Sequence, residues 1–390
     1  MSLSHVSPPG PRLSRRASST TSSAIRDLLE QATRPGVISL AGGLPDATLF
    51  PIEELADLVP ALLHNDGRRI LQYGPTEGTE ECRALLGAHF ALTDPDELLI
   101  TTGSQQGLDL LARTLFDPGD VVITCDPEYL GARQAFAAHG AVAVPIPIDD
   151  DGLATSVLES KLRAGLRPKA CYLVPHFHNP TGITISRERR THLHHLSTTY
   201  GFVVIEDDPY RDLYFGSDPP TESQADPDWT VRLRSTSKIL SPGLRVGVMS
   251  APAPLRQAMV VAKQGSDLHT STLSQAVAAA AVGAQWFEPQ LQRLRDRYRV
   301  KAAARVEALL ASFGPRIVVR RPMGGMFLWA NFGPGVDTTQ WLARSLEHGV
   351  CFVPGAAFAV EADLSSWARL SFATAGLDEL TEAVDRMAAT

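Results

Sequence analysis

The chain has 390 residues, 44% hydrophobic and 20% charged, enough to bury a large core or to split into two domains. A net charge of −7 gives no support for nucleic-acid or membrane-surface binding, and no apolar run is long enough to cross a bilayer. The four cysteines, Cys82, Cys125, Cys171 and Cys351, are scattered without CxxC spacing, which argues against a structural zinc site or a disulfide framework and fits a reducing cytoplasm.

Residues 1–22 are rich in Ser, Pro and Arg and lack the apolar stretch of a signal peptide. They read as a flexible arm that orders against a partner, the composition of an organelle transit peptide being the weaker reading. Ser22 and Ser23 cap a predicted helix through Glu30. Val37–Leu40 reads as a short strand entering the turn Ala41-Gly42-Gly43-Leu44-Pro45. From residue 97 onward short apolar runs alternate with helical patterns. Residues 98–101, 121–124, 141–144, 171–174 and 202–205 read as buried strands, and 106–116 and 187–200 as helices. That alternation predicts an α/β fold with a mainly parallel central sheet covered by helices.

After residue 290 the pattern changes to a long helix over 290–313 and strands at 316–320 and 325–331, a smaller α+β domain. The expected division is an arm (1–22), a segment packing with the small domain (23–50), a large domain (51–289) and the small domain (290–390). There is no internal repeat.

Sheets of this kind bind ligands beyond the carboxyl ends of their strands. The unusual polar residues lie there: Thr102 to Gln106, Asp126 to Tyr129, Asn179 to Gly182 and Glu206 to Tyr210. One later stretch carries the most chemistry, Ser235-Thr236-Ser237-Lys238-Ile239-Leu240-Ser241-Pro242-Gly243-Leu244-Arg245. A lysine attacks a carbonyl only as the neutral amine, so its surroundings must depress its pKa or hold it as a Schiff base. The serines and the arginine suit a phosphate dianion beside it. Lysine and phosphate clamp together are the chemistry of pyridoxal 5′-phosphate (PLP). Taken alone, the stretch also fits a polar turn with a solvated lysine.

Taken in order, these motifs resemble the class I/II aminotransferases of PLP fold type I. The closest branch is that of 2-aminoadipate and kynurenine/aminoadipate aminotransferases, and the resemblance spans residues 22 to 385. It implies that Lys238 is the Schiff-base lysine and proton shuttle, and that Asp207 pairs with the pyridinium nitrogen, with the adjacent Asp208 as the competing candidate. Tyr210 and Asn179 would hydrogen-bond the cofactor's phenolic oxygen. Ser104, Gln105, Ser235, Ser237 and Arg245 would hold its phosphate, and Tyr129 would stack on its ring. Arg369 would bind the substrate α-carboxylate, assisted by Gly43 and Asn179. Tyr73 would reach the phosphate of the neighbouring subunit in a homodimer with shared sites. Arg26 would face the substrate side chain from that subunit, or else be a solvated helix charge.

Two positions depart from the family pattern: His178 stands where relatives commonly carry Gln, and Thr236 where many carry an aromatic residue. Gln264, Asp267 and His269 are expected to organise a domain or dimer interface. The implied activity is ping-pong transfer of an amino group between an L-amino acid and a 2-oxo acid, with glutamate and 2-oxoglutarate as the common pair and no metal. Elimination, decarboxylation or oxidation on the same cofactor is the alternative. A regulator with a DNA-binding module is the weaker one, because fewer than about thirty residues precede the resemblance.

Overall fold

The computed structural model describes residues 34–92, 94–221 and 225–390. Its first strand is β1 (Ile38–Ser39). A run of eight more follows: β2 (Leu98–Thr101), β3 (Val121–Asp126), β4 (Val142–Asp149), β5 (Gly152–Leu153), β6 (Ala170–Leu173), β7 (Val203–Asp207), β8 (Thr230–Ser235) and β9 (Gly247–Ser250). Residues of β2 and β6 are buried along their whole length, as strands covered on both faces must be. These eight strands form one sheet in the order β2-β9-β8-β7-β6-β3-β4-β5. The pairs among β4, β3, β6, β7 and β8 are parallel, while β9 runs antiparallel to both β8 and β2.

Because β3, β6, β7 and β8 run the same way, their last residues emerge on one edge. Asp126, Leu173, Asp207 and Ser235 therefore share that edge. The return of β9 pairs Gly247 with Ser235, so residues 236–246 are a connection pinned at both ends on the same edge. Two 3₁₀ turns, Thr236–Lys238 and Pro242–Leu244, shape it, with Ser235 and Ser241 accepting hydrogen bonds from backbone N–H groups at their starts.

Alternation along β7 separates two carboxylates. Asp207 goes to one face and Glu206 to the other, where Arg190 Nε and Nη2 donate to it at 2.7 Å each and His194 lies 3.1 Å away. Burial alone would raise the Glu206 pKa; the His194 and Arg190 hydrogen bonds outweigh it and hold the carboxyl well below its ordinary value.

The C-terminal part begins with the helix Phe287–Phe313. Its strands are β10 (Val318–Val319), β11 (Phe327–Asn331), β12 (Val350–Cys351), β13 (Val353–Pro354) and β14 (Trp367–Ser371). Four of them form an antiparallel sheet, β10-β11-β14-β13, in which Trp329 faces Arg369. β1 pairs with β12, and Ser371 N–H donates to Leu40 O at 2.8 Å. The turn at Gly43 is thereby held to this sheet. Lys301 strengthens the attachment, donating to Asp46 Oδ2 at 2.6 Å and to Ala373 O at 2.7 Å.

Some boundaries differ from the sequence expectation. The strand expected at 316–320 shortens to Val318–Val319, because Gly314–Arg316 form a 3₁₀ turn with Pro315 at its start. The helix expected from 106 begins at Ser104, directly after Gly103 at φ 79°. The helix expected at 22–30 and Arg26 lie outside the described residues. Among those residues no helix is long and apolar enough to cross a membrane.

Candidate active site

A cavity of about 450 Å³ opens at the carboxyl edge of the eight-stranded sheet. Of the site residues singled out in the sequence, all the described ones line it except Tyr73. Lys238 projects into it from the pinned connection and donates from Nζ to Gly43 O at 2.8 Å. Asp207 comes from the end of β7, Tyr129 from the loop after β3, and Arg369 from the centre of β14. Residues as distant in sequence as 43, 207 and 369 thus converge through two sheets.

Burial pushes the Lys238 pKa down to about 8, and the positive charges of Arg245 and Arg369 lower it further against the opposing pull of Asp207. The reactive neutral amine is therefore available near physiological pH. Capture of PLP by the apoprotein is expected to speed up as pH rises through about 8 and to level off above it. Stopped-flow absorbance across a pH series reads this. A rate still climbing past 10 would mean that Lys238 titrates as an ordinary lysine.

Asp207 is raised to about 6, chiefly by burial and partly by the charge of Asp208, with the Tyr172 hydrogen bond pulling the other way. Tyr172 donates its hydroxyl to Asp207 Oδ2 at 3.0 Å. The other oxygen, Oδ1, is buried with no hydrogen-bond partner among the described residues. Asp208 is absent from the cavity lining. It lies 2.7 Å from His176 Nδ1 and 3.5 Å from Arg234 Nη1, so of the two aspartates Asp207 is the one that faces the cavity.

Arg369 is buried between the rings of Phe327 and Phe358, 4.3 and 5.0 Å from its guanidinium carbon. Nη1 donates to Asn179 Oδ1 at 2.8 Å, Nη2 donates to Ala41 O, and Nε has no partner among the described residues. Burial lowers its pKa to about 10, which leaves the group cationic at neutral pH. Asn179 Nδ2 also reaches the Tyr210 hydroxyl at 3.5 Å. Burial pushes the Tyr129 phenol up to about 12 and raises that of Tyr210 as well, so both are neutral hydrogen-bond donors.

At the far end of the cavity, Ser235 Oγ and Ser237 Oγ are 2.9 Å apart, and Arg245 Nη2 donates to Thr102 O at 3.1 Å. The helix Ser104–Leu115 starts there with its free N–H groups. Gly103 adopts φ 79°, a conformation that strains any side chain, and a Cβ there would also push Arg245 Nη2, 2.5 Å away, out of place. Gln105, also in the lining, donates from Nε2 to Gly131 O at 3.0 Å, fastening the Tyr129 loop.

This donor set fits PLP. The free oxygen of Asp207 is an acceptor for a protonated ring nitrogen, the helix start with two hydroxyls and a guanidinium suits a phosphate, and the recessed amine suits the aldehyde.

Tyr73 lies apart, 78% exposed, with its ring 5.7 Å from that of His269. Asp267 accepts from Lys263, Gln106 and Thr102, tying its segment to the base of the phosphate cradle, while Gln264 is exposed. His178 is buried outside the cavity lining, 3.0 Å from Thr181 Oγ1, and burial pushes its pKa down to about 3, so it stays neutral. Thr236 Oγ1 donates to Val246 O at 3.0 Å, closing the lysine connection. Sequence reasoning missed Tyr172 as a partner of Asp207. Its signal was alternation: two residues before Val174, it faces the side on which Val174 lines the cavity.

The model of the family "Aminotransferase class I and II" matches residues 35–387. The 2-aminoadipate transaminase of Thermus thermophilus is 40% identical over 370 residues, 94% of this chain and 92% of that protein. The aromatic-amino-acid aminotransferase 1 of Thermococcus litoralis is 34% identical over 389 residues, 97% of this chain and 93% of that protein. The crystal structure of the α-aminoadipate aminotransferase LysN from Thermus thermophilus, in complex with N-(5′-phosphopyridoxyl)-L-leucine, superposes with a TM-score of 0.88. It is 37% identical and covers 97% of this chain and 96% of that one.

Proposed function

The chain belongs to the class I and II aminotransferases, and from that premise we propose how its residues divide the work of a PLP-dependent transfer between an amino acid and a 2-oxo acid. Bound PLP supplies an electrophilic carbon and a ring that takes up the electron pair released at the substrate Cα. Lys238 Nζ anchors the cofactor, then removes the proton from the amino acid's Cα; in the second half-reaction it delivers one to the carbonyl carbon of the 2-oxo acid. Asp207 keeps the ring nitrogen protonated, and Tyr172 orients that carboxylate. Tyr210 and Asn179 donate to the phenolic oxygen. The start of helix Ser104–Leu115, with Ser235, Ser237 and Arg245, holds the phosphate, and Tyr129 lies on the ring face. Arg369 grips the substrate α-carboxylate in a fork, a site dry enough to make that contact strong. The observation that carries this reading is the convergence of Lys238, Asp207 and Arg369 on one cavity.

The working unit in this proposal is a homodimer in which exposed Tyr73 reaches the partner's phosphate. The division at residues 51–289 and 290–390 follows the two sheets, with 23–50 joined to the second on the evidence of the β1–β12 pairing. The buried free thiols support a cytoplasmic setting. The names of the relatives support 2-aminoadipate and aromatic amino acids as donors, and the leucine adduct bound in LysN supports a branched apolar one; 2-oxoglutarate is the acceptor in this proposal.

The test is a donor panel with 2-oxoglutarate, following glutamate. Glutamate formed in equal amount to the new 2-oxo acid from one of these donors is the expected result. Ammonia, carbon dioxide or oxygen uptake without glutamate would instead establish diverted cofactor chemistry.

A further inference from the structure

Asp126 makes contacts that neither cofactor nor substrate explains. It ends β3, three residues before Tyr129, and its side chain is buried. Its Oδ1 accepts from Val360 N–H at 3.1 Å, and its Oδ2 accepts from Glu361 and Ala362 N–H at 2.9 and 2.8 Å. Two further contacts join the same segments. Glu128 N–H donates to Phe358 O at 3.0 Å, and Arg133 Nη2, whose Nε is paired with Glu128, donates to Ala359 O at 3.0 Å. The loop that carries Tyr129 therefore grips residues 358–362, between β13 and β14, at each successive backbone position. Hydrogen bonds to a carboxylate are stronger than neutral ones, so the three at Asp126 dominate the grip.

The gripped segment leads to the substrate side of the cavity. Phe358 is fully buried, and its ring lies 5.0 Å from the guanidinium carbon of Arg369. Among the described residues Nε has no partner and Asn179 and Ala41 accept from the other two nitrogens, so the flanking rings share with those two hydrogen bonds in fixing where Arg369 rests.

We propose that Asp126 is a positioning residue for Arg369. Through residues 358–362 it sets the Phe358 ring against the guanidinium, tying the loop over the cofactor to the grip on the substrate carboxylate. This rests on the reading of Arg369 as the carboxylate holder.

The experiment uses the PLP-loaded enzyme with one amino acid and 2-oxoglutarate. Asp126→Asn keeps the size but sets an amide N–H₂ against backbone donors. KM for both substrates is expected to rise about tenfold, with kcat falling much less and the absorption of the lysine-linked cofactor retained. Phe358→Leu is expected to act in the same direction, and the double variant to be no worse than the more severe single one, because both changes lie on one path. Arg133→Lys keeps a cation beside the buried Glu128 carboxylate while removing the Nη2 arm to Ala359 O; a KM rise of about threefold is expected.

A lowered melting temperature with both KM values within about twofold of the parent would overturn the proposal, as would effects of Asp126→Asn and Phe358→Leu that simply multiply. If Asp126→Asn does not fold, unchanged KM values in Arg133→Lys overturn it. Arg369→Lys separates the two claims. Unchanged KM there contradicts the carboxylate reading itself. Raised KM there, with Asp126→Asn and Phe358→Leu unaffected, defeats only the role of Asp126.

Discussion

Lys238→Ala is expected to lower kcat/KM by at least about 10³-fold, the upper range for a group that moves a proton in the rate-limiting step. The argument is chemical and geometric together. Among the described residues Lys238 Nζ has one hydrogen bond, to Gly43 O, and its environment lowers its pKa to about 8. An amine held that way contributes little to stability, so the variant should fold and still bind PLP through the phosphate cradle and Asp207. Absorbance would then show free aldehyde rather than the lysine-linked band. Lys238→Arg should fare no better, because a guanidinium stays protonated. Activity within about tenfold of the parent would remove Lys238 from the mechanism.

Asp207→Asn is expected to have the second largest effect. The substitution preserves size and can keep a hydrogen bond with Tyr172, so it isolates the charge. Leaving a buried cation without its partner costs about 3–5 kcal/mol, or about 10²- to 10⁴-fold in rate. The loss should fall on kcat, since Asp207 lies at the cofactor and not at the substrate carboxylate. The companion variant Asp208→Asn touches His176 and Arg234 instead, outside the cavity lining, so its effect should be on stability. Equal losses of kcat in the two variants would show that the pair acts as a unit and that the assignment to Asp207 alone is wrong.

Much of this was legible in the sequence, for physical reasons that differ by element. The parallel strands β3, β6 and β7 announced themselves because burial on both faces demands unbroken apolar runs. β8 did not, since Arg232 and Arg234 interrupt it; their charges are matched by Glu206 and Asp208 across the sheet, contacts that no local pattern reveals. The lysine motif was readable as chemistry, but its shape depends on the return of β9 against β8. Arg369 stood out as a charge in an apolar strand, yet the rings of Phe327 and Phe358 that hold it come from other strands and turns. Asp126 read as one polar residue at a strand end. Only the fold brings residues 360–362 onto its carboxylate.

The most direct test of the account is a single turnover. The PLP-loaded enzyme is mixed with one amino acid donor and no 2-oxo acid, and products are counted per active site. The account predicts one equivalent of 2-oxo acid, with the cofactor left as pyridoxamine phosphate and no ammonia or carbon dioxide released, and it predicts that the Lys238→Ala enzyme yields none on the same timescale. Continued product formation beyond one equivalent without an acceptor, or oxygen consumption, would contradict transamination as the reaction this site performs.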